Sequence, residues 1–235
     1  MRRHGRKGIM VLAAAVLAAT LSGCGKKYEE AAVTTAAETE AEPTRVVVLE
    51  TEPETEPPET EPEEPVERVE VDGKIRSYLT GEMVDVAIGN RRPLAVMMSN
   101  DKESLPQYGI NRAGVVYEVP VEGEMNRYMA LIEDYDGLER IGSVRSARTC
   151  YTYFAREYDA IFAHYGQSTF AKKYLNNVDN INGLDGIGGT AYYRTKDRKA
   201  PHNAYTSGER VNKAIEKLGY RTGYGDSYEG HFQFA

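Results

Sequence analysis

The densest apolar run in the chain is Leu94-Ala95-Val96-Met97-Met98, which has no polar interruption. A run of that length and composition suits a strand covered on both faces, and it predicts a strand over 93–99 closed by Asn100 and Asp101. Val115-Val116-Tyr117-Glu118-Val119 predicts a second strand and 128–132 a third, with a turn around Gly123 between them. From Ser146 the apolar positions are Ala147, Cys150, Tyr151, Phe154, Ala155 and Tyr158. That spacing is one helical face, so a helix over 146–158 capped by Ser146 should lie on a sheet. A buried strand over 160–164 follows and ends in His164; a helix over 168–176, a short strand at 192–193 and a polar loop over 194–203 come next. The last helix opens on a Thr206-x-x-Glu209 capping box, carries Val211, Ala214, Ile215 and Leu218 as its stripe, and stops at Gly219. Asp72-Gly73 between alternating apolar residues marks a hairpin near the start. The strand–helix–strand order predicts a parallel crossover. The fold class is therefore α/β, a single mixed sheet with flanking helices.

The first third of the chain does not share this patterning. Arg2, Arg3, Arg6 and Lys7 precede an apolar stretch over 9–19 that is too short to span a bilayer, and Leu21-Ser22-Gly23-Cys24 follows. This reads as a lipoprotein signal peptide over 1–23, with Cys24 as the lipidated residue. Two or three acyl chains there would give stable membrane anchoring. Cys150 is the only other cysteine and lies on the apolar helix face, where core packing fits better than nucleophilic chemistry.

Charge changes the picture further. Residues 1–27 carry +6 and residues 28–70 carry −13, which leaves 71–235 neutral within the chain's total of −7. Residues 24–65 form a Glu/Thr/Pro linker, with Glu-Thr-Glu-Pro at 50–53, 54–57 and 59–62. Such a segment buries too little to fold. At about 3.1 Å per residue it would reach roughly 120 Å. A neutral α/β domain over 66–225 gives no broad electrostatic footprint for nucleic acid. Residues 226–235 read as the start of a further region, with His231 in a frayed tail.

The candidate chemistry centres on 140–166. Arg145 and Arg148 flank the helix start, the wrong sign for its positive end unless an anion binds there or a nearby carboxylate such as Glu139 or Glu157 pairs with them. Pairing is the commoner outcome for arginine. If the strands run parallel, His164, Asn100 and Glu118 fall at the carboxyl end of the sheet, where ligands collect. Arg194, Arg198, His202 and Asn203 share one loop. Together with Arg145 and Arg148 they define a pocket for an anionic group, with His164 or His202 as acid or base. Ser168 lacks a nucleophile elbow. No close-spaced histidine pair supports a metal, and no cofactor is called for. Most of the seventeen tyrosines are read as structural.

Several segments, in order, resemble the YerB-type family of bacterial surface lipoproteins. They are Tyr78-Leu79-Thr80-Gly81, Arg92 to Asn100, Val116-Tyr117-Glu118, Gly142-Ser143-Val144-Arg145-Ser146-Ala147-Arg148, Asp159 to Ser168, and Ala200-Pro201-His202-Asn203. The resemblance spans about 77–234. It implies a lipid-anchored protein on the extracytoplasmic face of a Gram-positive-type membrane, with a longer N-terminal and a smaller C-terminal domain, the chain here ending where the second should begin. It brings no established activity with it. The expected function is binding of an anionic cell-wall ligand or an envelope protein partner. The alternatives are an envelope-polymer hydrolase or transferase using His164 or His202, and a scaffold for a membrane-bound cell-wall enzyme.

Overall fold

The Asp72-Gly73 turn closes as the sequence predicts. Both residues have positive φ, 52° and 75°, and Val71 and Lys74 exchange backbone hydrogen bonds of 2.8 and 2.9 Å. Left-handed backbone at both turn positions matches the twist of the flanking strands. The computed structural model describes residues 68–234, so the signal peptide, Cys24 and the whole Glu/Thr/Pro linker over 24–65 lie outside the described residues. From the turn the chain runs through β1 (Lys74–Arg76), β2 (Met83–Asp85), the short helix α1 (Val86–Gly89), β3 (Leu94–Ser99), β4 (Val115–Pro120) and β5 (Asn126–Ile132). β6 (Ile141–Gly142), α2 (Thr149–Glu157), β7 (Ile161–His164), β8 (Asn180–Asn182) and α3 (Gly188–Ala191) follow. β9 (Tyr193–Arg194), β10 (Ala204–Thr206) and α4 (Gly208–Leu218) come last.

The principal sheet has five strands in the order β4-β5-β3-β7-β8. β5 is antiparallel to both neighbours, while β3, β7 and β8 are parallel. The carboxyl ends of β4, β3, β7 and β8 therefore share one edge. The parallel partners of β7 are β3 and β8, not β6, the strand that precedes α2 in sequence. The expected single sheet is in fact three, since β1–β2 and β6–β10–β9 pair separately.

All six residues of β3 are buried, and its period of two explains why both faces must be apolar. Leu94, Val96 and Met98 enter one core with Val211, Ala214 and Ile215 of α4. Ala95 and Met97 enter the other with Tyr151 and Ala155 of α2 and Tyr158 just after it. A helix thus covers each face of the sheet.

Four local expectations need correction. α4 is capped by Ser207, whose side chain accepts from the Arg210 N–H, because Thr206 is fully buried and its hydroxyl donates to the Ala191 carbonyl at 2.7 Å. The segment over 168–176 forms turns and a 3-10 turn at Leu175–Asn177 instead of a helix. Nine residues ending at Asn176 are too few to sustain one on their own. α2 begins at Thr149, three residues later than expected. His231 is not frayed: its ring lies 4.7 Å from that of Tyr158.

The residues near His231 also bury a carboxylic acid. Tyr224 and Tyr228 stack at 4.6 Å and both meet Tyr78 edge-on. Under this layer Glu133 is 7% exposed and accepts a 2.6 Å hydrogen bond from Ser77 through one oxygen. Its other oxygen and both tyrosine hydroxyls are buried without partners. Burial pushes the Glu133 carboxyl above its ordinary value, outweighing the Ser77 bond and Arg68. A raised folded value means the stability it contributes is full below the unfolded value near pH 4 and is lost as pH rises through the folded one. Glu133→Gln should therefore melt higher than the parent at about pH 8 and close to it at about pH 4. Equal melting shifts at both pH values would contradict this.

Candidate functional site

At the carboxyl edge of the sheet β3 and β7 diverge. Their pairing ends at Val96 and Ala163, and residues 144–147 enter the opening between them. Met98 bridges to Val144. Arg145 N–H donates to the Met97 carbonyl, Tyr165 N–H donates to the Arg145 carbonyl, and Ala147 N–H donates to the Gly166 carbonyl, each at 2.9 Å. This pairing keeps 144–147 extended, which is why Ser146 is not a helix cap: its hydroxyl donates to the Tyr165 carbonyl at 3.0 Å. Arg148 is the capping position and gives α2 no side-chain cap.

The wedge carries two arginines to the same edge, and β5 supplies a third. Arg127 is 7% exposed and donates to the Ser146 carbonyl at 2.6 Å. Arg148 donates to the carbonyls of Ser146 and Ala147 and makes a two-pronged pair with Glu122. Arg145 lies 3.6 Å from Asp101. The carboxylates that pair with Arg145 and Arg148 are thus Asp101 and Glu122, not Glu139 or Glu157. Glu122 is held down at about 2, chiefly by the Arg148 hydrogen bond. Arg127 is lowered to about 10, first by burial and then by Arg148 and Arg145. Arg145 is lowered by burial, which outweighs the opposing pull of Asp101. Three guanidiniums thus face two carboxylates, and their mutual repulsion is incompletely cancelled.

Asp101 connects this cluster to the loop over 194–203. One of its oxygens accepts from the Ser99 hydroxyl, lies 3.6 Å from Arg145 and lies 3.5 Å from Nδ1 of His202. Ser143 Oγ, Arg145 Nε and His202 Nδ1 are all buried without a hydrogen-bond partner. Ser143 also accepts the Ser99 N–H through its carbonyl. Unused donors and acceptors beside an excess of positive charge form a polar centre with capacity left over.

The other sequence candidates divide clearly. Asn100 donates to Glu118 at 2.9 Å on the rim of the same edge, where Asn126 also reaches Glu118. Arg194 donates to Asn203 at 2.6 Å, and Asn203 donates to the Thr195 carbonyl, so this pair shapes its own loop. Arg198 spends both terminal nitrogens on the carbonyls of Ser104, Leu105 and Pro106 and on the Tyr205 hydroxyl; it ties two loops together. His164 has no exposed surface. Its Nδ1 meets the Gly166 carbonyl at 2.8 Å and its Nε2 the Asn180 side-chain oxygen at 3.1 Å, and burial lowers its pKa. That geometry removes His164 as an acid or base and leaves His202. Asp101, Glu122, Arg127, Ser99 and Ser143 are additions to the sequence list. Arg127 lies just before the strand the sequence predicts over 128–132 and is the second residue of β5.

Residues 79–221 match the family described as protein of unknown function (DUF3048) N-terminal domain. "Putative lipoprotein YerB" of Bacillus subtilis (strain 168) is 37% identical over 150 residues, which cover 63% of this chain and 45% of that protein. The crystal structure of the YerB protein from Bacillus subtilis superposes with a TM-score of 0.60 at 36% identity, over 63% of this chain and 51% of that one. The chain spans about half the length of these relatives.

Proposed function

The chain belongs to the DUF3048 N-terminal domain family, and from that premise we propose that it is a lipid-anchored extracytoplasmic protein that binds an anionic cell-envelope ligand. The anchoring part rests on the Leu21-Ser22-Gly23-Cys24 sequence and on the printed name of the relative. The binding part rests on one observation, the three guanidiniums of Arg127, Arg145 and Arg148 gathered around two carboxylates. Four segments far apart in sequence, carrying Asp101, Glu122 with Arg127, Arg145 with Arg148, and His202, converge to build that centre. Guanidinium forks suit phosphate and carboxylate oxygens, and a partly buried pair is screened less by salt than a surface one.

The test is binding of the full chain, unlipidated through Cys24→Ser, to a soluble glycerol-phosphate polymer and to soluble peptidoglycan fragments. Arg145→Ala with Arg148→Ala should weaken binding about tenfold or more, as expected for losing charge-assisted hydrogen bonds. Melting should shift by less than about 5 °C. Unchanged binding would sink the reading, and so would a double variant that no longer folds, since the arginines would then be structural.

A hydrolase or transferase reading survives only through His202, whose Nδ1 faces Asp101 at 3.5 Å. An aspartate in that position orients an imidazole for proton transfer. Turnover of an envelope polymer that is lost in His202→Ala would favour it over binding alone.

A further inference from the structure

Away from the arginine centre, exposed aromatic rings and unpaired cations share one surface. The Phe170 ring is 80% exposed and Tyr153, on the outer side of α2, is 44% exposed. Phe170, Lys172 and Lys173 line an open groove of about 500 Å³ with Thr169 and Asn176. Tyr174 links the groove to the helix, since its ring lies 5.5 Å from that of Tyr153 and Lys173 sits 4.7 Å over it. Arg156 shares with Asn176 the adjoining groove of about 400 Å³. Among the described residues Arg156, Lys172 and Lys173 take part in no ion pair. Glu157 is the one acid beside them on α2. Asp159 and Asp179 also line the adjoining groove but are paired with Arg92 and Arg221. In a domain without net charge, three cations outside any ion pair around a bare phenyl ring are therefore a local asymmetry.

We propose that this surface docks the domain on an anionic phospholipid membrane, with Phe170 entering the interface and Lys172 and Lys173 meeting the headgroups. A phenyl ring held out at a loop gains free energy by leaving water, which a membrane interface provides and a hydrated polymer does not. Lysine stems lie along apolar surface while their ammonium groups stay in the polar layer, so residues two and three positions from the ring sit at headgroup depth. Anionic headgroups complement the unpaired charge, at about fivefold in affinity per lysine. Docking of this size is weak for a free protein. It becomes effective when a tether raises the local concentration, a step that rests on the proposed anchoring at Cys24.

The experiment is flotation of the full Cys24→Ser chain at high lipid concentration, where weak untethered docking registers, with vesicles of phosphatidylglycerol and phosphatidylcholine, beside vesicles of phosphatidylcholine alone. The expected result is partitioning to the anionic vesicles only. Phe170→Asp should lower it about tenfold or more, and Lys172→Glu with Lys173→Glu by a similar factor. Arg145→Ala with Arg148→Ala should leave it unchanged, which separates this surface from the arginine centre. Melting curves of each variant serve as the folding control. Equal partitioning to neutral vesicles, or indifference to both sets of substitutions, overturns the proposal. Tight binding of a soluble glycerol-phosphate polymer that is lost in the same variants would also overturn it and make the surface a polymer site.

Discussion

Arg92→Ala is expected to destabilise the domain by about 3 kcal/mol, the scale for removing one member of a buried ion pair. The side chain is 3% exposed and sits at the amino end of β3, on the sheet edge opposite the arginine centre. Its Nε donates to the Asp159 carbonyl at 2.6 Å, and its Nη1 donates to Asp179 at 2.7 Å and to the Arg221 carbonyl at 3.1 Å. Nη2 lies 3.4 Å from the Asp159 carboxylate. One guanidinium thus fastens the start of the central strand to the turn after α2, the approach to β8 and the chain beyond α4. Alanine would leave a cavity and two buried or half-buried carbonyls without their donor. Asp159 keeps Arg221 and the Asp179 side chain is 36% exposed, so both carboxylates retain some compensation and the cost stays at the lower end of the range. Lysine should not rescue the loss, because a single ammonium cannot meet acceptors spread around a planar fork. Urea denaturation of Arg92→Ala and Arg92→Lys checks both statements. A loss below about 1 kcal/mol would place this network among ordinary surface pairs.

Arg92 shows what the sequence could and could not disclose. An arginine directly before a wholly apolar run stands out, but its partners lie 67, 87 and 129 residues away, beyond any local pattern. The same holds at the other edge. The stripe of α4 was legible because Val211, Ala214 and Ile215 follow helical spacing, and β3 was legible because a strand covered on both faces needs no polar position. The conflict between Arg145 and Arg148 and a helix start was also legible as an electrostatic anomaly. Its resolution was not, since Glu122 is 26 residues from Arg148 and Asp101 reaches Arg145 across a strand junction. Ser146 has the composition of a cap, but its backbone is claimed by pairing with β3 and with the chain after β7. Local propensity lost there to tertiary hydrogen bonding.

Separating the roles of the two histidines follows from the same geometry. His164 terminates a buried strand, so its ring nitrogens must find polar partners inside the protein, and each meets one. His202 lies on a loop that Arg198 and Asn203 hold in place from either side, which leaves its ring at the arginine centre. Sequence position suggested equal standing for the two, and burial separates them.

Gly208→Ala is expected to cost about 3 kcal/mol and to disturb the arginine centre from a distance. A Cβ at this position would lie 2.0 Å from the Tyr135 carbonyl oxygen and 2.5 Å from that of Asp136. Both are backbone atoms of a turn that also accepts the Gly208 N–H, through Leu138 at 2.8 Å. Alanine in a helix is otherwise favoured over glycine by about 1 kcal/mol, so propensity alone predicts a gain. The clash reverses the sign, because backbone cannot rotate away as a side chain does and α4 must lift off the turn. Asn212 and Arg91 both bind Asp136, so lifting α4 also strains that link. β10 ends two residues before Gly208, and its Ala204 carbonyl accepts the Val144 N–H at 2.8 Å. Displacement of α4 therefore passes through β10 to the wedge that holds Arg145 and to the loop that holds His202. Gly189→Ala is the control: nothing lies within 4 Å of a Cβ there, and it should be neutral or slightly stabilising. Urea denaturation gives the stability, and polymer binding at a temperature where the variant is folded gives the coupling. If Gly208→Ala is as stable as the parent, the close approach of α4 to the 135–138 turn is not the contact that seats this helix.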